Sequence, residues 1–327
     1  MCSEGASVTV KYGTVPYTIN GAEMGTKMDG ILNVYKEKGY TSHDVVAKLR
    51  GILKQKKIGH TGTLDPEAQG VLPVCLGNAT KVCDILTDQD KVYSTVLLLG
   101  KETDTQDCTG QVQREQEVTV SEEEVRTCIA SFVGAYSQVP PMYSALKVNG
   151  KKLYELAREG KTVERQARTV QIYEICITKI CLPRIFMTVS CSKGTYIRTL
   201  CHDIGQKLGC GGCMESLLRQ KVSVFTLDHA KTLAQIEAMK KEGALLDFVI
   251  PVPDLFPEYP RVQTKPEYSF LVHNGNPVTG EQLMECPKDS KSPVLLYDDR
   301  EQFIGIFVWK PEKRRYFPEK MFYTAQN

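Results

Sequence analysis

Apolar positions along this chain fall into two periods, and the periods alternate. From Thr41 to Lys57, Val45, Val46, Leu49, Ile52 and Leu53 share one helical face, and either Thr41 or Ser42 can cap the start. Val92 to Gly100 reads as a strand. Ser121 with Glu124 three residues on is a capping-box signature for a second helix. Thr169 to Ile180 and Ile185 to Cys191 read as strands joined by a turn at Pro183-Arg184, with Ile185, Met187, Val189 and Cys191 on one face. Thr195 to Leu208 returns to the helical period through Ile197, Leu200, Cys201, Ile204 and Leu208. Helices and strands mixed without a repeat predict an α+β fold around a largely antiparallel sheet.

Prolines at 251, 253, 257 and 260 mark a boundary, after which the pattern shortens. Val294 to Tyr297 and Gln302 to Trp309 flank Asp298-Asp299-Arg300-Glu301, a hairpin signal. Residues 251–327 are therefore expected to form a small β domain. Residues 1–27 show no clear period. Met28 is expected to be the functional start, with a disordered tail as the alternative.

Composition changes this picture little. The chain has 327 residues, 42% hydrophobic and 24% charged, as in an ordinary globular protein of about two domains. No apolar run is long enough to span a bilayer, and the first residues lack a basic segment followed by an apolar one. With those features absent, the twelve cysteines read as reduced thiols in a cytoplasmic protein. Cys210-Gly-Gly-Cys213, with Cys201-His202 upstream, has the residue types of a zinc site but no second close pair. It reads as a turn, and no metal is expected.

Charge matters by its distribution. The net charge is only +2, yet seven basic residues against three acidic ones lie between Tyr143 and Gln171: Lys147, Lys151, Lys152, Arg158, Lys161, Arg165 and Arg168. Further clusters are Lys54, Lys56 and Lys57, and Lys310, Lys313, Arg314 and Arg315. One such cluster would pass for a solvated face. Three, beside glycines and aromatics, fit a phosphate-backbone footprint.

The candidate chemistry lies in Gly59–Val74, GHTGTLDPEAQGVLPV. Gly59, Gly62 and Gly70 let backbone approach a large ligand, and Pro66 stiffens the chain just after Asp65. A single carboxylate held this way can act as nucleophile or base. The ordinary alternative is a turn whose aspartate caps a helix. The run resembles the catalytic motif of the TruB family of pseudouridine synthases. The resemblance recurs in order at Gly30–Val46, Lys81, Val139–Gly160, Cys191–Gly205 and Ser216–Val222, covering roughly residues 28 to 250.

The resemblance implies a pseudouridine synthase fold, with a catalytic domain over 28–250 and a thumb-like RNA-binding segment near 139–168. It implies isomerisation of uridine in the T-loop of tRNA, position 55, without cofactor or guide RNA, by a monomer. A further role as a tRNA-folding chaperone is compatible with it. It makes Asp65 the catalytic carboxylate, Arg198 its partner and Tyr196 the candidate for proton handling. His60 would fill the space of a flipped base, Tyr93 would stack on the uracil, Leu217 would line its pocket, and Lys81 would support the site from behind. Each also has an ordinary role as a loop histidine, a core or packing residue, or a surface lysine. Lys151 and Lys152 in the thumb would meet phosphates. The C-terminal unit would be PUA-like, by analogy alone.

Two positions depart from the family. Lys36-Glu37 stands where Lys-Pro is usual, which should loosen a turn, and Cys213 stands where histidine is usual. Two other classes compete: an RNA-binding protein without catalysis, which the intact Asp65 motif disfavours, and a metal-dependent hydrolase using His60, Asp65 and His202, which lacks any ligand motif.

Overall fold

The computed structural model describes residues 28–148, 150–287 and 292–324. The expectations for residues 1–27 lie outside them. The main sheet draws on β1 (Gly30–Lys36), β2 (Ile58–His60), β3 (Gln69–Leu76), β4 (Lys91–Leu99), β7 (Gly134–Gln138), β10 (Arg168–Cys181), β11 (Arg184–Cys191), β12 (Gly212–Val222) and β13 (Phe225–Thr226). The numbers between belong to two small ladders, β5 (Lys101–Thr103) with β6 (Val112–Glu115) and β8 (Lys147–Val148) with β9 (Lys151–Lys152). Across the main sheet the order is β1-β3-β12-β4-β11-β10-β7, with β2 on β3 and β13 on β12.

Every junction of that sheet is antiparallel except β3 with β12, where Leu218 faces Gln69 and Arg219 faces Gly70. This mixed junction needs Gly70. Its φ is +108°, and a Cβ there would lie 2.2 Å from the Arg219 carbonyl oxygen. The two strands can thus approach only without a side chain at position 70.

Helices cover the sheet where the sequence period placed them. In α1 (Ser42–Leu53) Thr41 is the cap, in a capping box with Asp44, while Val45, Val46, Leu49 and Leu53 are buried. The helix stops at Leu53 rather than Lys57, because Lys54 turns left-handed at φ 52°. In α3 (Glu122–Ala130) Ser121 and Glu124 form the expected box. The helix expected from Thr195 begins at Ile197 as α5 (Ile197–Lys207). Short helices α2 (Cys83–Thr87) and α4 (Leu153–Arg158) and the longer α6 (Leu233–Lys241) complete this part. The helices α3 and α5 bury Ile129, Leu200 and Ile204 against Leu97, Met187 and Val189 of β4 and β11. At the β1–β3 end of the sheet α1 and α6 set Leu49 and Ile236 against Leu32 and Val74.

Beyond Pro251 a second sheet runs β14 (Arg261–Gln263), β15 (Val294–Tyr297), β16 (Phe303–Lys310) and β17 (Arg315–Met321), with α7 (Ser269–His273) beside it. The expected hairpin is β15–β16. Leu295, Tyr297 and Ile306 share an apolar cluster with Ile31, Val71 and Phe225, so this sheet is packed onto the main sheet. Burial of each such aliphatic side chain stabilises the junction by about 1.5–3 kcal/mol. No helix among the described residues is long and apolar enough to cross a membrane.

Candidate active site

The hairpin β2–β3 carries the site. His60 ends β2 opposite Val74, Thr61 donates to the Pro73 carbonyl, and residues 61–68 project as a loop. Three clamps fix that loop. The Ser42 hydroxyl accepts from the Leu64 N–H at 2.9 Å. Lys36, fully buried, donates to the carbonyls of Tyr40 (2.5 Å), Glu37 (3.1 Å) and Pro66 (3.1 Å). Arg219, 1% exposed, donates to the carbonyls of Val71 (2.7 Å) and Gly62 (3.3 Å).

Asp65 stands at the crest, with 36% of its side chain in solvent. Arg198 Nε lies 2.9 Å from one carboxylate oxygen and Nη2 lies 3.3 Å from the other, a two-point pairing. The same guanidinium donates to the Thr105 carbonyl (3.0 Å) and the Tyr143 carbonyl (2.7 Å), and Asp107 lies 3.8 Å away. Arg198 therefore ties the 61–68 loop to the 104–110 loop and to the segment at Tyr143. Desolvation pushes the Asp65 carboxyl above the usual carboxylate range; Arg198 opposes the shift and Asp107 adds to it. The guanidinium contact favours the charged form against that desolvation.

Burial lowers Lys36 to about 8, against the pull of Asp65. The turn at Lys36-Glu37, expected to be loose, is closed by the Lys36 ammonium itself. Burial likewise lowers His60 to about 4, helped by His43 and Arg219, so the ring is neutral at physiological pH. It meets His43 edge-on at 5.4 Å, and its Nδ1 is buried without a hydrogen-bond partner.

Two predicted residues pack against this loop. Tyr93 on β4 and Leu217 on β12 join Leu64 and Ala68 of the loop in one apolar cluster. Tyr196 precedes α5 and is clamped by Gln138, which accepts from its N–H and donates to its carbonyl; the Arg168 guanidinium lies 4.8 Å from its ring centroid. Lys81 does not join them: its ammonium donates to the Met321 carbonyl of the second sheet. The adjoining Asn78 and Asp84 also bond that sheet, through Phe322 and Lys320. Lys151 and Lys152 lie on the β8–β9 hairpin, one 3.6 Å from Glu159 and the other 3.3 Å from the Tyr154 hydroxyl.

Arg219, Asp107, Ser42 and the clamp role of Lys36 escaped the sequence reading. Arg219 had a legible signal, since it follows Leu217 by two positions and so shares the inward face of a strand. Among the described residues no three or more His, Cys, Asp or Glu side chains gather as a metal-binding group. Cys213 faces Cys108 at 3.4 Å rather than Cys210, whose thiol donates to the Gly211 carbonyl.

A single Arg-paired carboxylate, a neutral flat ring and an aromatic in an apolar cluster against the same loop suit chemistry on a nucleobase taken out of its stack. The comparisons agree. Residues 50–197 match the N-terminal domain of the TruB family pseudouridylate synthases, and residues 198–256 match the C-terminal domain of tRNA pseudouridylate synthase B. The tRNA pseudouridine synthase B of Lachnoclostridium phytofermentans is 52% identical, over 90% of this chain and 100% of its own. That of Alkaliphilus oremlandii is 46% identical over 87% and 94%. A solved H/ACA RNP bound to a substrate RNA containing 2′-deoxyuridine matches with TM-score 0.68 at 24% identity, covering 90% of this chain and 85% of that one. A Cbf5-Nop10-Gar1 complex matches with TM-score 0.67 at 26% identity over the same shares. The mixed nine-stranded sheet is thus the pseudouridine synthase fold, and the chain belongs to the TruB family of pseudouridylate synthases.

Proposed function

We propose that this pseudouridine synthase acts on tRNA, at the T-loop uridine of position 55, with Asp65 as the group that reacts with the nucleotide. The observation carrying this is the Asp65–Arg198 pair, set on a clamped loop that packs against the apolar cluster of Tyr93 and Leu217. The reaction breaks the N1–C1′ bond, turns the base, and forms C5–C1′. C5 loses a proton and N1 gains one, so neither oxidant nor cofactor is called for.

The target base first leaves its stack, at a cost of a few kcal/mol. Neutral His60 fills the vacated space, and Tyr93 stacks on the flipped uracil, an interaction worth about 1–3 kcal/mol. Leu217 lines the pocket. Arg198 keeps Asp65 ionised and aimed, and Tyr196 is the candidate for proton handling at the base. The β8–β9 hairpin and α4, with Lys151 and Lys152, grip phosphates directly, so no guide RNA enters. The C-terminal sheet, with Lys310 and Lys313 close to the Phe317 ring, acts as a PUA-like RNA-binding module. Lys81 supports the site indirectly, by holding that module to the body. The chain works as a cytoplasmic monomer. Binding tRNA this way also remodels it, which supports a chaperone role independent of chemistry.

Asp65→Asn keeps size and hydrogen bonding and removes the charge. Pseudouridine mapping at position 55 should find no product, while tRNA affinity stays within about tenfold, or roughly 1.4 kcal/mol. Turnover by this variant, with contaminating enzyme excluded, overturns the assignment.

A further inference from the structure

Cys108 and Cys213 lie 105 residues apart in the chain, yet their sulfurs are 3.4 Å apart. The 104–110 loop sits on β12 through two backbone bonds, Met214 N–H to the Gln106 carbonyl (3.0 Å) and Cys108 N–H to the Met214 carbonyl (2.9 Å). Cys213 is fully buried, whereas Cys108 is partly open to solvent. We propose that Cys108 and Cys213 form a reversible disulfide in response to a low-molecular-weight disulfide oxidant, and that this crosslink slows turnover by displacing the loop that holds Arg198.

The geometry needs little movement to reach the bond. A disulfide requires sulfurs at about 2.05 Å, so closure is a contraction of about 1.4 Å. Either sulfur can donate in this contact; it holds the partly open Cys108 below the usual thiol range, while the buried Cys213 is pushed up. Cys108 is accordingly the attacking thiolate. It attacks one sulfur of the oxidant RSSR, forms Cys108–S–S–R, and releases RS⁻. Cys213 then gives its proton to solvent and attacks the Cys108 sulfur, releasing the second RS⁻. Two protein thiols and RSSR become one protein disulfide and two RSH, so two electrons pass to the oxidant.

The contraction falls on the loop. The strand β12 is held by β4 along most of its length and by β3 on its other edge, and α5 packs over it. The loop holds Arg198 through the Thr105 carbonyl and lies near it through Asp107, one residue before Cys108. A displacement of about 1 Å in a positioning group can cost about 100-fold in rate. Thiol pairs of this kind in a reducing compartment are transient and sensing rather than structural.

The experiment incubates the purified full-length chain with oxidised glutathione, then maps peptides without reduction and measures turnover on tRNA. The expected result is a Cys108–Cys213 crosslink, a fall in turnover of at least about tenfold, and recovery on adding a dithiol. The exposed Cys181 and Cys286 will take up glutathione, and the map separates those adducts. Cys108→Ser and Cys213→Ser should each keep turnover in the oxidant. If the buried Cys213→Ser fails to fold, Cys108→Ser gives the same test. Absence of the crosslink overturns the proposal, and so does a crosslinked protein with unchanged turnover. Equal inactivation of Cys108→Ser also overturns it. The turnover arm rests on the activity proposed above; the crosslink map does not, so failure of one is distinguishable from failure of the other.

Discussion

Gly70→Ala tests whether the parallel junction assembles the site. Two costs act at this position. Gly70 has φ +108°, a conformation that costs a side-chain-bearing residue about 1–3 kcal/mol. The new Cβ would also lie 2.2 Å from the Arg219 carbonyl oxygen and 2.9 Å from its nitrogen. Ordinary contact begins near 3.4 Å, so β3 and β12 must part by about 1.2 Å, adding about 1–3 kcal/mol of packing strain. Gly134 separates the two costs: its φ is +107° and nothing lies within 4 Å of its Cβ position. Gly134→Ala should therefore lose about 1–3 kcal/mol in urea unfolding, and Gly70→Ala about 2–6 kcal/mol. The parting also moves Asp65 and His60, which the β2–β3 hairpin carries, away from Leu217 and Arg219 on β12. Single-turnover release of tritium from C5-labelled uridine in tRNA should fall about 100-fold in folded Gly70→Ala. Gly134→Ala should turn over nearly normally. Equal stability losses, or equal turnover in the two folded variants, would refute the reasoning.

Changing Lys151 and Lys152 together to Ala should weaken tRNA binding and reduce the salt slope of log K by up to about 2 units. Turnover at saturating tRNA should stay near normal, and an unchanged salt slope counts against phosphate contact by this hairpin. Arg219→Met strands the carbonyls of Gly62 and Val71 and should destabilise the fold by about 2–4 kcal/mol. It also removes one of the charges that depress His60, so the His60 pKa followed by NMR should rise from about 4; no rise would mean that charge does not reach the ring. The acid limb of kcat/KM should lie above the ordinary aspartate value of about 3.9, because activity needs ionised Asp65 and its carboxyl is raised by burial. Activity is thus lost as pH falls through the raised value, and an acid limb at or below the ordinary value contradicts that environment.

What the sequence determined was local. The capping box of Ser121 and Glu124 satisfies helix-end groups within four residues, and it reads the same in the chain and in the fold. The alternation Ile185, Met187, Val189, Cys191 fixed which face of β11 is buried, since the pleat turns every second side chain inward. The motif around Asp65, with Arg198, named a pair that the fold brings to 2.9 Å, because their types and order resemble those of a family that pairs them. Other choices lay between segments far apart in the chain. Thr41 and Ser42 were equal candidates for a cap; Thr41 took it because the Ser42 hydroxyl is engaged by Leu64, 22 residues on. Lys81 looked like a support for the site, yet its ammonium found a carbonyl 240 residues away. Along the chain Lys36 reads only as part of a turn and Arg219 is not singled out, yet both are buried clamps on carbonyls of the 61–68 loop. A buried cation needs acceptors, and which backbone oxygens converge on it is settled only when β1, β3 and β12 pack together. Periodicity and local hydrogen bonding are written along the chain, whereas the pairing of distant strands selects which polar groups meet.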